Sequence, residues 1–193
     1  MVIKTREKLI DVARQLFAHK GIENTTMNDI ATASDKGRRT IYTYFKNKRE
    51  IYNAVIERES EQLIKKLREV MALPLGPIEK LEKFISVRFE IIENTTFHHD
   101  SIRSFFLRDM KRIERIRKLA VNKEVEMIRE IVDGGVKEGV FNAELTSSIY
   151  PMMLMVFQGV DMSYLRNNFA EVGVDKNTLK ERITKFIITG IKK

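Results

Sequence analysis

Apolar side chains recur along this chain every three or four positions and almost nowhere every second one. From Lys4 to Lys20, Leu9, Val12, Ala13, Leu16 and Phe17 fall at i, i+3, i+4, i+7 and i+8, one face of an amphipathic helix. Gly21, just past a basic final turn, ends it. Thr26 with Asp29 three positions on has the form of a capping box, opening a short helix that buries Met27, Ile30 and Ala31. Ser34-Asp35-Lys36-Gly37 breaks the period, and Arg38 to Phe45 resumes it as a second short helix. Asn47 can cap a much longer helix running to about Met71.

Pro74 and Gly76-Pro77 mark the next boundary, with proline at a helix start where its missing N–H costs nothing. The helix from Pro77 to about Glu93 is apolar on more than one side, through Ile78, Leu81, Phe84, Ile85, Phe89 and Ile92, and so reads as central. Asn94-Thr95-Thr96 interrupts the pattern. A short helix from His98 to about Leu107 then precedes a long charged one from Met110 to Lys137, closed by Gly134, Gly135 and Gly139. Ser147 to Asn168 carries Ile149, Met153, Val156, Phe157, Val160 and Tyr164 at helical spacing. Leu179, Ile183, Phe186, Ile187 and Ile191 repeat that stripe at the chain end. No strand-period segment and no internal repeat stands out. The expectation is an all-α chain of about nine helices, with a three-helix unit in residues 1–47 and a helical remainder in 48–193.

Composition narrows the class. At 193 residues the chain fits one domain, or a small domain fused to a larger one, and 43% hydrophobic with 32% charged residues is normal for a folded protein. The absence of cysteine excludes disulfides, thiolate metal sites and cysteine nucleophiles, and fits a reducing cytoplasm. The first residues lack the apolar run of a secretion signal, and the most apolar segment, Tyr150 to Val160, is interrupted by Gln158 and too short to span a bilayer. These features predict a soluble, cytoplasmic protein with no membrane partner. Charge is uneven: residues 1–50 hold 11 Lys/Arg against 6 Asp/Glu, so most of the net +8 sits in the first quarter. A basic patch attracts polyanions in general, nucleic acid and acidic membrane alike.

Two short helices joined by a tight turn have the layout of a helix-turn-helix, in which the second helix enters the DNA major groove. Advancing about 100° per residue from Arg38 brings Ile41 and Phe45 together as a buried face. Arg39, Thr40 and Thr43 lie opposite, where a groove would be met, with Tyr42 and Tyr44 on either flank to reach phosphate. Arg38 lies nearer the core side but starts the helix. Arg39 suits a bidentate pair with guanine, and Thr40 and Thr43 suit a thymine methyl or a phosphate. Lys46 and Lys48 extend the positive rim, and Asn47 offers a helix N-terminus to phosphate. Thr26 and Met27, opening the first short helix, complete the candidate DNA-binding set. The plainer reading of such a helix is a solvated basic face.

Phe17-x-x-Lys20-Gly21, Thr25-Thr26-Met27-x-x-Ile30-Ala31 and Thr40-Ile41-Tyr42-x-Tyr44-Phe45-Lys46-Asn47-Lys48 resemble the DNA-binding domain of the TetR family of transcriptional regulators. The resemblance covers residues 3 to about 50, with the motif at about 26–45, and beyond it only helix order is similar. It departs in the turn, where Gly37 stands in place of the serine that often caps the reading helix. The resemblance implies a homodimer on a near-palindromic double-stranded operator and a second domain that binds a small-molecule effector and dimerises. It makes Ile149, Met153, Val156, Val160, Tyr164, Leu179, Ile183, Phe186 and Ile187 candidates for the dimer interface. Two apolar stripes packed inside one subunit are the other reading. For the effector pocket the candidates are Phe84, Phe89, Phe105, Phe106, Met110, Met127, Met152, Met155 and Phe157, since Met and Phe form adaptable apolar cavities. Each of these alone also fits an ordinary bundle core. Asp161, Glu90, His98, His99 and Arg103 are the polar groups of interest there, Asp161 also suiting an interfacial hydrogen bond. His98-His99-Asp100 lacks metal-ligand spacing, and no phosphate loop or catalytic constellation appears, so neither metal, cofactor nor enzyme is expected. The expected function is a ligand-released repressor. The alternative is a DNA-binding activator or architectural protein without an effector.

Overall fold

The computed structural model describes residues 2–94 and 109–193. Eight helices run through them: α1 (Val2–Lys20), α2 (Met27–Ala33), α3 (Arg38–Tyr44), α4 (Lys48–Met71), α5 (Pro77–Glu93), α6 (Met110–Lys137), α7 (Ala143–Arg166) and α8 (Lys176–Ile191). No strand occurs among the described residues, and one isolated antiparallel bridge pairs Phe141 with Lys192. The fold is all-α, as the period of the apolar residues requires. The helix expected from His98 to about Leu107 lies outside the described residues, and with it His98, His99, Arg103, Phe105 and Phe106. No helix among the described residues is long and apolar enough to cross a membrane.

The chain divides into two compact units. One runs to Glu61 and takes in the start of α6 as far as Lys118; the other holds Gln62–Asn94 and Leu119–Lys193. A break at residue 47 was expected, because α4 begins at Lys48. The first turns of α4 instead bury Ile51, Tyr52, Ala54, Val55 and Ile56, which keeps them in the first unit. There Leu9, Ile10, Ala13 and Phe17 of α1 join Ile30, Ala31, Ile41 and Phe45, with Phe17 edge-on to Tyr52 at 6.3 Å between ring centres. Arg58 of α4 pairs with Asp11 of α1 at 2.7 Å, and Arg14 faces Glu59 at 3.7 Å.

In the second unit, α5 supplies Leu81, Phe84, Ile85, Phe89 and Ile92 to a core completed by Met127, Ile128, Ile131 and Val132 of α6, Met153 and Phe157 of α7, and Ile187, Ile188 and Ile191 of α8. α6 passes through Gly134 and Gly135 to Lys137, and the chain reverses at Gly139, whose φ of +74° suits glycine. α7 starts at Ala143, four residues before the sequence expectation, because the Asn142 side chain accepts a hydrogen bond from the Glu144 N–H. It ends at Asn167, in the left-handed region at φ 52°.

Candidate nucleic-acid interface

The helix-turn-helix is held by local chemistry at each junction. Gly21 takes φ +81° and its N–H reaches the Phe17 carbonyl at 3.1 Å, while the buried Thr25 hydroxyl donates to the Gly21 carbonyl at 2.7 Å. The expected capping box is present: Asp29 N–H donates to the Thr26 hydroxyl at 3.1 Å, and Thr26 N–H donates to the Asp29 carboxylate at 2.9 Å. The Asp29 carboxyl is held below its ordinary value by the Thr26 N–H first and the Thr26 hydroxyl next, with Lys20 and Lys48 adding and partial burial opposing. In the turn, Ser34 is fully buried with its hydroxyl on the Ala31 carbonyl, and Asp35 takes φ 53°. The Lys8 ammonium meets the Asp35 carboxylate at 3.3 Å, tying α1 to the turn. α3 then starts at Arg38 with Gly37 at its N-cap and no side-chain cap.

On α3, Ile41 is fully buried and Phe45 nearly so, as the helical angle demands. Arg38, Arg39, Tyr42 and Thr43 are exposed, and Thr40 and Tyr44 are half-buried. Arg38 lies over the Tyr42 ring at 6.0 Å. The Arg39 guanidinium meets no carboxylate among the described residues, so its fork stands ready for an external partner. The Thr43 hydroxyl donates to the Arg39 carbonyl at 3.1 Å, which leaves its methyl for an apolar contact such as thymine's. Thr26 and Lys46 are exposed, and Met27 is half-buried.

Two rim residues are placed differently from the sequence expectation. Lys48 donates to the Glu23 carbonyl at 3.1 Å, bracing the connection before α2 rather than projecting freely from the rim. At the start of α4, Asn47 caps the Glu50 N–H at 3.0 Å, and Glu50 accepts the Lys46 N–H at 2.7 Å. Of the helix-terminus N–H groups expected to serve phosphate, that of Glu50 is thus already taken by the Asn47 side chain, and the Glu50 carboxylate holds the N–H just before the cap. Sequence reasoning also missed Arg6, which lies over the Phe45 ring at 5.5 Å, since nothing in spacing joins residues so far apart.

The second unit brings together only part of the expected effector set. Phe84, Phe89, Met127 and Phe157 meet in its core. Met152 and Met155 face outward on α7, because the inward phase of that helix is Met153, Phe157, Val160 and Tyr164. Met110, half-buried at the start of α6, belongs to the first unit, and Glu90 is exposed. The dimer candidates need the complementary correction. Ile149, Met153, Val160, Tyr164 and Ile187 are buried in this chain's own core, with Val156, Leu179 and Ile183 packed against it. Of that set Phe186 alone is largely exposed, at 68%.

Asp161 has a partner that the sequence did not announce. It receives two parallel hydrogen bonds from Arg88 of α5, each 3.0 Å, while Arg88 Nε donates to Glu124 of α6. Arg88 lies over the face of Phe157 at 4.1 Å, and Phe157 meets Phe89 edge-on at 6.4 Å. Burial alone would lower the Arg88 pKa; Asp161 and then Glu124 more than reverse this, so it stays cationic. A signal did exist: Arg88 sits in phase with Leu81, Phe84 and Ile85, a charge inside an apolar stripe. An open groove of about 410 Å³ lined by Glu82, Ser86, Lys180, Thr184 and Ile188 and a hollow of about 100 Å³ beside Met71, Pro77 and Gly134 involve none of the expected effector residues.

Residues 9–55 match the family described as "Bacterial regulatory proteins, tetR family". The HTH-type transcriptional repressor KstR2 of Rhodococcus jostii (strain RHA1) is 28% identical over 145 residues, covering 72% of this chain and 69% of the relative. Among solved structures, a transcriptional regulator of the TetR/AcrR family from Thermobifida fusca superposes with a TM-score of 0.75 at 21% identity, covering 96% of this chain and 97% of that one. The regulator FadR from Bacillus subtilis, in complex with stearoyl-CoA, gives a TM-score of 0.68 at 18% identity and covers 96% and 98%.

Proposed function

We propose that the chain, whose residues 9–55 match the TetR family of bacterial regulatory proteins, is a transcriptional repressor of that family whose dimer holds a near-palindromic operator until a small apolar or amphipathic effector releases it. It acts by binding, in the cytoplasm, rather than by catalysis. The observation that carries the DNA reading is Arg39, exposed on a helix seated by Ile41 and Phe45, with no carboxylate of the described chain to engage it. Arg39 reads a guanine edge, Thr43 and Thr40 contact neighbouring bases, and Arg38, Tyr42, Tyr44 and Lys46 hold phosphates. A KstR2 repressor and a FadR bound to stearoyl-CoA among the similar proteins favour repression and an effector with an apolar body. The effector acts by stabilising a spacing of the two reading helices that does not fit successive grooves. By linkage it binds the free dimer more tightly than the DNA-bound one.

Selection from a pool of random duplexes tests this, followed by fluorescence anisotropy on the selected site and on scrambled DNA. The expected site is a near-palindrome with half-sites one helical turn, or a multiple, apart. Arg39→Ala should cost about 1–3 kcal/mol on the selected site and little on scrambled DNA. Lys46→Ala should weaken both alike and reduce the salt slope by about 1. Enrichment of no sequence, or equal losses from both variants on both DNAs, would refute the assignment.

A further inference from the structure

Arg6 belongs to α1, yet its guanidinium lies over the ring of Phe45, the residue that ends α3, at 5.5 Å. Phe45 is only 4% exposed, while its neighbours Tyr44 and Lys46 are the residues assigned above to phosphate. The packing of α1 therefore brings a positive charge to the C-terminal end of the reading helix. Two positions on, Lys8 meets Asp35 in the turn that precedes α3, at 3.3 Å. α1 thereby reaches both the turn before α3 and the residue after it. Arg6 itself is held loosely. Its side chain is 44% exposed, and among the described residues its ion pairing is with one oxygen of Glu7, at 3.3 Å. That carboxylate is shared, since its other oxygen faces Arg58 at 3.7 Å. An exposed pair of this kind contributes about 0–1 kcal/mol. The Phe45 ring takes up a face of the guanidinium and none of its N–H donors.

From this placement we infer that Arg6 is a further DNA contact, gripping a backbone phosphate beside those held by Tyr44 and Lys46, so that α1 as well as α3 anchors the operator. The inference rests on the proposal that α3 is the reading helix. A phosphate accepts the guanidinium fork with two parallel hydrogen bonds, which a carboxylate shared with Arg58 does not match. Phosphate carries no base identity. Arg6 therefore adds affinity on every sequence and helps to set the register of α3 in the groove, without choosing bases.

Two substitutions in the full-length protein separate a phosphate contact from mere packing. Arg6→Met keeps an apolar stem over Phe45 and removes the charge, whereas Arg6→Lys keeps the charge and gives up the fork. Affinity for the selected site and for scrambled duplex is read by anisotropy between about 50 and 200 mM salt. Arg6→Met should lower the log–log salt slope by about 1 per protomer and weaken each half-site contact by about fivefold to tenfold near 0.1 M salt, on both DNAs alike. Arg6→Lys should keep the wild-type slope. Lys65→Met, which removes an exposed charge from the part of α4 in the second unit, should change neither slope nor affinity. If Arg6→Met does not fold by circular dichroism, Arg6→Gln takes its place in the comparison. A wild-type slope in Arg6→Met, equal losses in Arg6→Met and Arg6→Lys, or the same loss in Lys65→Met overturns the inference and leaves the helix-turn-helix reading standing. A wild type that selects no sequence, with the Arg6 effect still present on scrambled DNA, would sink base reading and keep this contact. Binding to neither DNA removes both.

Discussion

Gly37 occupies the N-cap of α3 at φ −65° and ψ 149°, an extended conformation open to any residue, and α3 begins there without a side-chain cap. A Cβ at Gly37 would meet nothing nearer than the Thr40 hydroxyl at 4.0 Å. Gly37→Ser should therefore supply the missing acceptor without strain and raise stability by a few tenths of a kcal/mol, seen as a higher urea midpoint. A lower midpoint would mean that the turn does not admit the side chain as described. Residues of this kind were legible in the sequence: the Thr26–Asp29 box, Gly21, and the buried pair Ile41 and Phe45 all follow from spacing. Lys48 was not legible. Its ammonium ends on the carbonyl of Glu23, 25 positions away, and no local pattern carries that information. Arg88 was half-legible as a charge on an apolar stripe, but its carboxylates come from two other helices.

At the scale of elements, helical period located most of the helices, because each buries one continuous face. It could not say which body covers that face. The stripe on α7 through Met153 and Phe157 turned out to be this chain's own core, and Met152 and Met155 fell on the other side. Glycine was ambiguous in the same way. Gly134 and Gly135 looked like the end of α6, yet both lie within it, and they differ in what surrounds them. A Cβ on Gly135 would stand 2.1 Å from the Phe141 ring, whereas one on Gly134 meets nothing within 4 Å. Phe141 is buried and helps close the second unit, so it has little freedom to retreat. Gly135→Ala should lose about 1–3 kcal/mol to overpacking, which outweighs the gain in helix propensity. Gly134→Ala should gain up to about 1 kcal/mol from propensity alone. Thermal melts of the two variants should move in opposite directions. Parallel shifts would show that Phe141 does not pack on Gly135 in solution.

For the whole molecule, what the chain leaves uncovered matters as much as what it buries. Leu145, Met152 and Met155 lie on the outward face of α7 at 47%, 49% and 71% exposure, and Phe186 of α8 is 68% exposed. Leu145, Met152 and Met155 recur at helical spacing, and Ser148 and Gly159 beside them leave that face low. Aromatic residues and methionine are enriched where proteins meet, and a face of this kind on the last two helices suits a second copy of the chain. Met155→Glu and Phe186→Glu place charge on that face without entering the core. Both should keep wild-type helicity by circular dichroism yet sediment as monomers. A dimer engages two half-sites, with the second contact made at high effective concentration, so a monomer should lose about 10²–10⁴ in affinity for the full operator. Its affinity for an isolated half-site should be unchanged, since the helix-turn-helix lies in the other unit. Variants that remain dimeric would move the interface elsewhere on the surface. A monomeric wild type that still selects a palindrome would show that DNA itself assembles the pair.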